Sequence, residues 1–322
     1  MVTELPIKTT ETMTTKHANI LDKKNLSLTI FKSKNHIHEI LPMHNLGVAG
    51  GHFRITTKKG HRYFMKTVDN PILANNMISM SKLLLAGGVS TPKVLYAAQY
   101  ENLYCILTQY YTPTDLSSLE SDKLYHVGQL SGQNLFKLHN IPIQTQTLIL
   151  QDESSDSYVE QVLSLPLVPN FKDKSKIIDF INKHRHLIHN SPVGLIHWDY
   201  HIHNIIYCNE KLYMVDLDNI RLGRAYRDFY HLAENAKLEF DNITPYNLGL
   251  LDGYFTKGIP DDFWTILALY LFLRSFERIN WYVSIGDDFT VQRILEMIKK
   301  FLHINFDGLT KTVPSWYTNA KS

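Results

Sequence analysis

The chain has 322 residues, 44% of them hydrophobic, and its 33 Lys+Arg against 31 Asp+Glu leave a net charge of +2. That length supports a large core and about two domains. The hydrophobic fraction excludes wholesale disorder, and the balanced charge argues against a nucleic-acid partner. Cys105 and Cys208 cannot form a disulfide framework; in their apolar surroundings they read as reduced, buried thiols of a cytoplasmic protein. The Thr-rich opening "MVTELPIKTTETMTTKHANI" has no apolar core of the signal-peptide kind. The most apolar stretch, "FWTILALYLFLRSF" at 263–276, is broken by Arg274 and too short to cross a bilayer, so no membrane insertion is expected.

After a polar segment at 1–25, residues 27 to 68 are strand-like: "LSLTIF", "HEILPMHNL", "HFRITT" and "HRYFMKTV", the last two joined by a compact "KKG" turn. "NPILANNMISMSKLLLAGG" predicts a helix, with Pro71 near its start and Gly87 and Gly88 at its end. "KVLYAAQY" and "YCILTQYY" follow as two more strands around "ENL". These strands and one helix make a small N-lobe of residues 26–111.

From 112 to 322 the pattern is mainly helical. "DKLYHVGQLSGQNLFKLHNI" places Leu124, Val127, Leu130, Leu135 and Leu138 near one face, and "DSYVEQVLSL" and "SKIIDFINKHRHLIHN" continue in the same way. The short strand-like pieces "VGLIHW", "NIIYC" and "LYMVDL" interrupt, and helix returns from "YRDFYHLAENAKLEF" to "TVQRILEMIKKFLHI". The fold class is therefore α+β, a small antiparallel-sheet N-lobe before a larger helical C-lobe that carries a short β-hairpin.

The polar cluster "HWDYHIHN" sits on that hairpin. Asp199 and Asn204 bound the loop after "GLIHW", and pairing of "LYMV" with "NIIY" through "CNEK" brings Asp216 beside Asn204. One carboxylate and one amide are hard oxygen ligands that suit Mg²⁺, which completes its shell with water and phosphate oxygens. Asp199 is left to accept a proton from a substrate hydroxyl, the division of labour that phosphoryl transfer requires. His201 and His203 suggest Zn²⁺, but no partner set with zinc spacing accompanies them. Upstream, Gly47, Gly50 and Gly51 lie between strands, where backbone N–H groups can approach phosphate, and Lys66 on the following strand can reach the α/β phosphates of ATP.

"HWDYHIHN" followed by "VDLD" resembles the H-x-D-x-x-x-x-N … D pattern of the aminoglycoside phosphotransferase and choline kinase superfamily, whose fold is two-lobed and protein-kinase-like. Trp198 stands where the common version has glycine, and "IH" replaces its Pro-Gly before Asn204. The resemblance implies Asp199 as catalytic base, Asn204 and Asp216 as metal ligands, Asp218 as the second acid of the D-x-D and His197 as a brace of the loop. It extends over about 37–235: a nucleotide loop in "GGHFRITTKKGHRYFMKT", a hinge at "TQYY" in which Gln109 and Tyr111 meet adenine, "FKLHNIP" closing the first large C-lobe helix, and "YRDFYHLA", whose Asp228 braces the catalytic loop. One departure stands out. Kinase-like folds pair the strand lysine with a helix glutamate, whereas "ILANNMISMSKLLLAGG" has no acid and offers Asn75, Asn76 and Ser79.

The expected activity is ATP- and Mg²⁺-dependent transfer of the γ-phosphate to a small-molecule hydroxyl. A nucleotide-binding pseudokinase and an interaction protein are the alternatives. Trp281, Tyr282, Tyr254 and Phe255 lie among acids in the late C-lobe, a mixture that suits a cationic acceptor such as an amino alcohol or aminoglycoside but equally suits plain core.

Overall fold

The computed structural model describes residues 13–18, 20–33, 36–43, 51–142, 157–232, 243–302 and 313–321. The chain divides into two units, Met1–Ala86 with Thr91–Thr112, and Gly87–Ser90 with Pro113–Ser322.

The first unit is built on a five-stranded antiparallel sheet of β1 (Ile37–Pro42), β2 (Gly51–Thr57), β3 (Arg62–Val68), β4 (Val94–Tyr100) and β5 (Leu103–Gln109), in the order β1-β2-β3-β5-β4. Phe53 pairs with Met65, and Met65 with Leu107, so alternate residues line one face of the sheet. That face packs Phe53, Ile55, Met65, Cys105 and Leu107 against Leu26 and Ile30. The opposite face packs Val68 and Ile106 against α3 (Pro71–Ala86) through Ala74, Leu73 and Met77.

Leu26 and Ile30 lie on a helix, which corrects the strand expected for "LSLTIF". After α1 (Met13–Ala18), α2 runs Lys23–Phe31, capped by the Asp22 side chain, which accepts from the Asn25 N–H at 2.8 Å, and closed by Lys32 in the left-handed region. Positions 26 and 30 are four apart and so share a face at either a period of 2 or 3.6. Leu28 decides between them: a strand would bury it with the other two, yet it is 42% exposed.

The second unit is mainly helical: α4 (Ser121–His139), α5 (Ser157–Leu163), α6 (Lys174–His184), α7 (Thr244–Tyr254), α8 (Phe263–Ser284), α9 (Asp288–Lys300) and α10 (Ser315–Lys321). Its closest helix contact joins α4 to α7. A Cβ added at Gly128 or Gly132 would meet backbone oxygens of Tyr246 or Leu250 at 2.2 and 2.1 Å, and one at Gly249 or Gly253 would meet those of Tyr125 or Gln129 at 2.0 and 2.2 Å. Four glycines at i, i+4 spacing on two helices thus let the backbones touch. The long apolar α8 is buried along most of its length, and no helix among the described residues is long and apolar enough to cross a membrane.

Two further boundaries differ from the sequence expectation. "SKIIDFINKHRHLIHN" divides into α6 and a 3-10 turn at Arg185–Asn190, and the segment with Asp228 begins as a 3-10 turn at Ala225–Phe229 before helix at 231–232, the rest of "YRDFYHLAENAKLEF" lying outside the described residues. Cys105 and Cys208 are both free and buried, and burial pushes the Cys105 thiol up to about 12.

Candidate active site

Two small two-stranded sheets hold the polar cluster. β6 (Val193–Ile196) pairs antiparallel with β9 (Arg221–Arg224), and β7 (Ile205–Cys208) pairs with β8 (Lys211–Met214). Asn209 and Glu210, both at positive φ, make the tight turn between β7 and β8. Beyond the pairing of Ile205 with Met214, the Val215 N–H donates to the Asn204 carbonyl at 3.0 Å. The hairpin therefore sets Asp216 one residue past a backbone bonded to Asn204.

The loop from His197 to Asn204 is fixed from beneath by Asp228. Its carboxylate accepts the His197 N–H at 2.6 Å, the Trp198 N–H at 2.8 Å and His139 Nε2 at 3.1 Å. His139, at the end of α4, places its Nδ1 2.8 Å from the Tyr254 hydroxyl of α7. Burial alone would raise the pKa of Asp228, but the hydrogen bond and charge interaction with His139 and the His197 donor outweigh it and hold the carboxyl below its ordinary range. His197 Nε2 donates to the Val215 carbonyl at 2.8 Å, tying the loop to the Asp216 strand. Tyr200 is anchored in turn, its hydroxyl 2.6 Å from Ser131 Oγ on α4.

These ties hold Trp198 at φ +75°, in the left-handed region that favours glycine. Its indole is compensated by cations: the guanidinium of Arg221 lies 3.8 Å from the ring centroid, and that of Arg227 stacks on it as well.

Asp199 follows, with its side chain 34% exposed. Oδ1 accepts from His231 Nε2 at 3.0 Å and the Tyr230 hydroxyl at 3.2 Å, while Oδ2 faces His201 Nε2 at 3.5 Å. Burial would raise its pKa, but the bonds from His201 and His231 outweigh that and hold the carboxyl far below the usual carboxylate range. Two carboxylate oxygens offer about four acceptor sites. Three are taken, leaving room on Oδ2 for one more donor.

Asn204 is oriented by its own amide: Nδ2 donates to the Asp199 carbonyl at 2.9 Å, which turns Oδ1 into the group able to face a cation. Asp216 sits half-buried in the left-handed region (φ +58°) at the start of the 3-10 turn Leu217–Asn219, with half-buried Asp218 in that turn. An amide oxygen and a carboxylate are the donor types that suit a hard divalent cation.

Asp199, His201 and His231 also bring one donor atom each within 4.8 Å of one another. This is a different set from the His201/His203 pair in the sequence, since His203 does not join it. The His203 N–H donates to His201 Nδ1 at 3.2 Å, while His201 Nε2 lies 3.1 Å from Asn204 Nδ2 and 3.5 Å from Asp199 Oδ2.

The remaining predicted residues lie in the first unit. Lys66 is buried on β3, opposite Ile106 and, by alternation, on the α3 face with Val68. Gly51 begins β2, where an added Cβ would meet Thr67 Oγ1 at 2.6 Å and His17 Nδ1 at 3.1 Å, so packing as well as backbone access requires glycine there. Gly47 and Gly50 lie outside the described residues. Gln109 ends β5 and accepts a 3.4 Å hydrogen bond from the Tyr111 hydroxyl.

The late C-lobe aromatics divide between core and surface. Tyr254 and Phe255 pack into a ring cluster with Phe229 and Phe263, whereas Trp281 is 60% exposed near the end of α8. His231 and Tyr230 are the site residues that sequence reasoning missed. Their signal was the polar pair inside the aromatic run "DFYHL", two residues after Asp228.

A sequence model of one family, described as the phosphotransferase enzyme family, matches residues 47–264, more than half of the chain. No curated protein sequence matches. Among solved structures, the amicoumacin kinase hAmiN in complex with AMP-PNP, Ca²⁺ and Ami aligns over 94% of this chain and 99% of its own with a TM-score of 0.65 and 13% identity. Aminoglycoside phosphotransferase APH(4)-Ia, as a thermostable mutant, aligns over 88% and 98% with a TM-score of 0.63 and 12% identity. A choline/ethanolamine kinase family protein from Mesorhizobium loti aligns over 81% and 88% with a TM-score of 0.57 and 15% identity. At these identities the likeness shows the fold: a protein-kinase-like α+β arrangement of an antiparallel sheet followed by a helical C-lobe with a short hairpin.

Proposed function

Since the chain belongs to the phosphotransferase enzyme family, we propose that it transfers the γ-phosphate of ATP to a hydroxyl of a small molecule, with Asp199 receiving the hydroxyl proton. The acceptor oxygen forms its bond to the γ-phosphorus as the bond to the β–γ bridging oxygen breaks, and ADP leaves with that electron pair. Asp199 carries the reading. It is ionised, held by three donors and has one acceptor position left, so it orients an incoming hydroxyl. Its low basicity suits a loose transition state, in which the proton moves late and positioning matters more than proton affinity.

Asn204 and Asp216 would hold Mg²⁺, which neutralises phosphate charge when bound. Lys66 on β3, the glycines Gly47, Gly50 and Gly51, and the backbone from Gln109 to Tyr111 are assigned to the nucleotide. Buried thiols suit work in the cytoplasm. Amino alcohols, aminoglycosides and sugar-like polyols are the acceptor classes in view.

The test is acceptor-dependent ADP release alongside thermal unfolding with and without MgATP. Asp199→Asn should lose about 10²–10⁴-fold in kcat while keeping its MgATP-induced rise in Tm. Asp216→Ala should lose the rise itself, because a ligand stabilises only the state it binds. Normal turnover in Asp199→Asn would sink the assignment of the base. A MgATP shift without turnover on any acceptor would mark a pseudokinase.

A further inference from the structure

Three arginines, Arg221, Arg227 and Arg274, lie around Trp198 in the loop that carries Asp199. Arg227 is 3% exposed, and its Nη2 reaches the Tyr158 hydroxyl at 3.4 Å and Glu277 Oε2 at 3.3 Å. The same Glu277 oxygen accepts Arg274 Nη1 at 3.1 Å. Nε and Nη1 of Arg227 and Nε of Arg274 are buried with no hydrogen-bond partner among the described residues. Arg274 also bonds the Tyr230 hydroxyl, which donates to Asp199 Oδ1. Two guanidinium groups thus share one oxygen of one glutamate, and the next carboxylate along the network is Asp199 itself.

Trp198 completes the picture. Arg221 and Arg227 both lie over its ring within 4 Å of the centroid, and two guanidinium groups so close must take opposite faces to avoid overlap. The indole next to the base in sequence is therefore occupied on both sides by the chain's own cations. An acceptor ammonium would find no open face there and would meet like charge. A carboxylate or phosphate would meet guanidinium forks, whose planar donor pairs match its oxygens. Arg274 and Arg221 are half-buried and can be reached from solvent; Arg227 lies behind the indole.

We propose that the acceptor is a hydroxy compound bearing an anionic group, a carboxylate or a phosphate, and that Arg274 and Arg221 receive that group while the hydroxyl rests on Asp199. The assignment deepens the phosphotransferase reading and rests on it for the hydroxyl. It replaces the cationic amine with an acidic polyol or sugar-like acid as the substrate class.

The test is a matched series of three-carbon probes on the full chain: glycerate and glycerol 3-phosphate as the two anions, glycerol as the neutral member and serinol as the amine. Binding is read as the Tm shift at constant ionic strength with saturating MgADP, and turnover as ADP release with MgATP. In wild type the anions should raise Tm and show a KM at least ten-fold below glycerol and serinol. Arg274→Gln and Arg221→Gln should each shrink the anion-over-glycerol KM ratio at least ten-fold, and Arg274→Lys should keep part of it. If Arg274→Gln does not fold, Arg221→Gln and Arg274→Lys carry the comparison. Preference for serinol, no shift with either anion, or an anion preference unchanged in the arginine variants overturns the assignment. An arginine-dependent anion shift without any ADP release would uphold the subsite and overturn the phosphotransferase reading instead.

Discussion

Asp199 and Asp228 are carboxylates that serve one loop from opposite sides, and their surroundings separate chemistry from support. Asp228 is fully buried, and its partners are two backbone N–H groups and a histidine anchored to a second helix. Asp199 is a third exposed, its partners are side chains, and it keeps a position open. Both are held below the ordinary carboxylate range, one for permanence and the other for a visitor. A burial value or a pKa direction alone would not tell them apart. The nature of the donors does: main-chain partners fix a loop, and side-chain partners present a group.

The comparison is open to direct attack. Asp228→Ala should cost about 3–5 kcal/mol, because it strips a buried charge from its donors and leaves two N–H groups unpaired; urea unfolding would read it. Asp199→Asn should cost about 1 kcal/mol or less, since its bonds are partly exposed to water. Equal losses at the two positions would erase the distinction. Next in size, Gly132→Ala should destabilise by roughly 2–4 kcal/mol, as a methyl group cannot enter a gap filled by the Leu250 carbonyl without separating α4 from α7. That substitution should also lower turnover through His139, whereas Gly60→Ala, in an open turn, should leave turnover intact.

Acidity offers a third handle. The folded Asp228 pKa lies below the ordinary 3.8, so its stabilisation is complete above that value and is lost as pH falls through the folded pKa. The acid limb of a Tm-versus-pH curve should therefore flatten in Asp228→Asn relative to wild type. The smallest effect belongs to Trp198. At φ +75° a side chain carries strain that glycine does not, so Trp198→Gly should be more stable than Trp198→Ala by about 1 kcal/mol.

Much of this was legible in the chain. The hairpin and its "HWDYHIHN" loop follow from local spacing, because an apolar run, a two-residue turn and another apolar run leave the polar residues one place to go. The sheet of the first unit was readable for the same reason. The strand expected for "LSLTIF" failed where residues four apart satisfied both periodicities and only tertiary burial could choose. His231 and Tyr230 were invisible as site residues because they reach Asp199 from more than thirty positions away along the chain. The arginines around Trp198 come from three separate elements, so no window along the chain could have shown them together.

The glycine contact between α4 and α7 also sets an order of events. Its partners are more than a hundred residues apart, and the catalytic loop lies between them in sequence. The loop-closure entropy of that long segment must be met before the contact contributes any stability. On a ribosome, the stretch from His197 to Asn204 emerges well before Tyr254, the residue that steadies His139 and through it Asp228. A nascent chain halted at 243 would hold every proposed catalytic and metal-binding residue and still lack the helix that closes their support. Activity should therefore appear late in synthesis, as a step coinciding with the docking of α7.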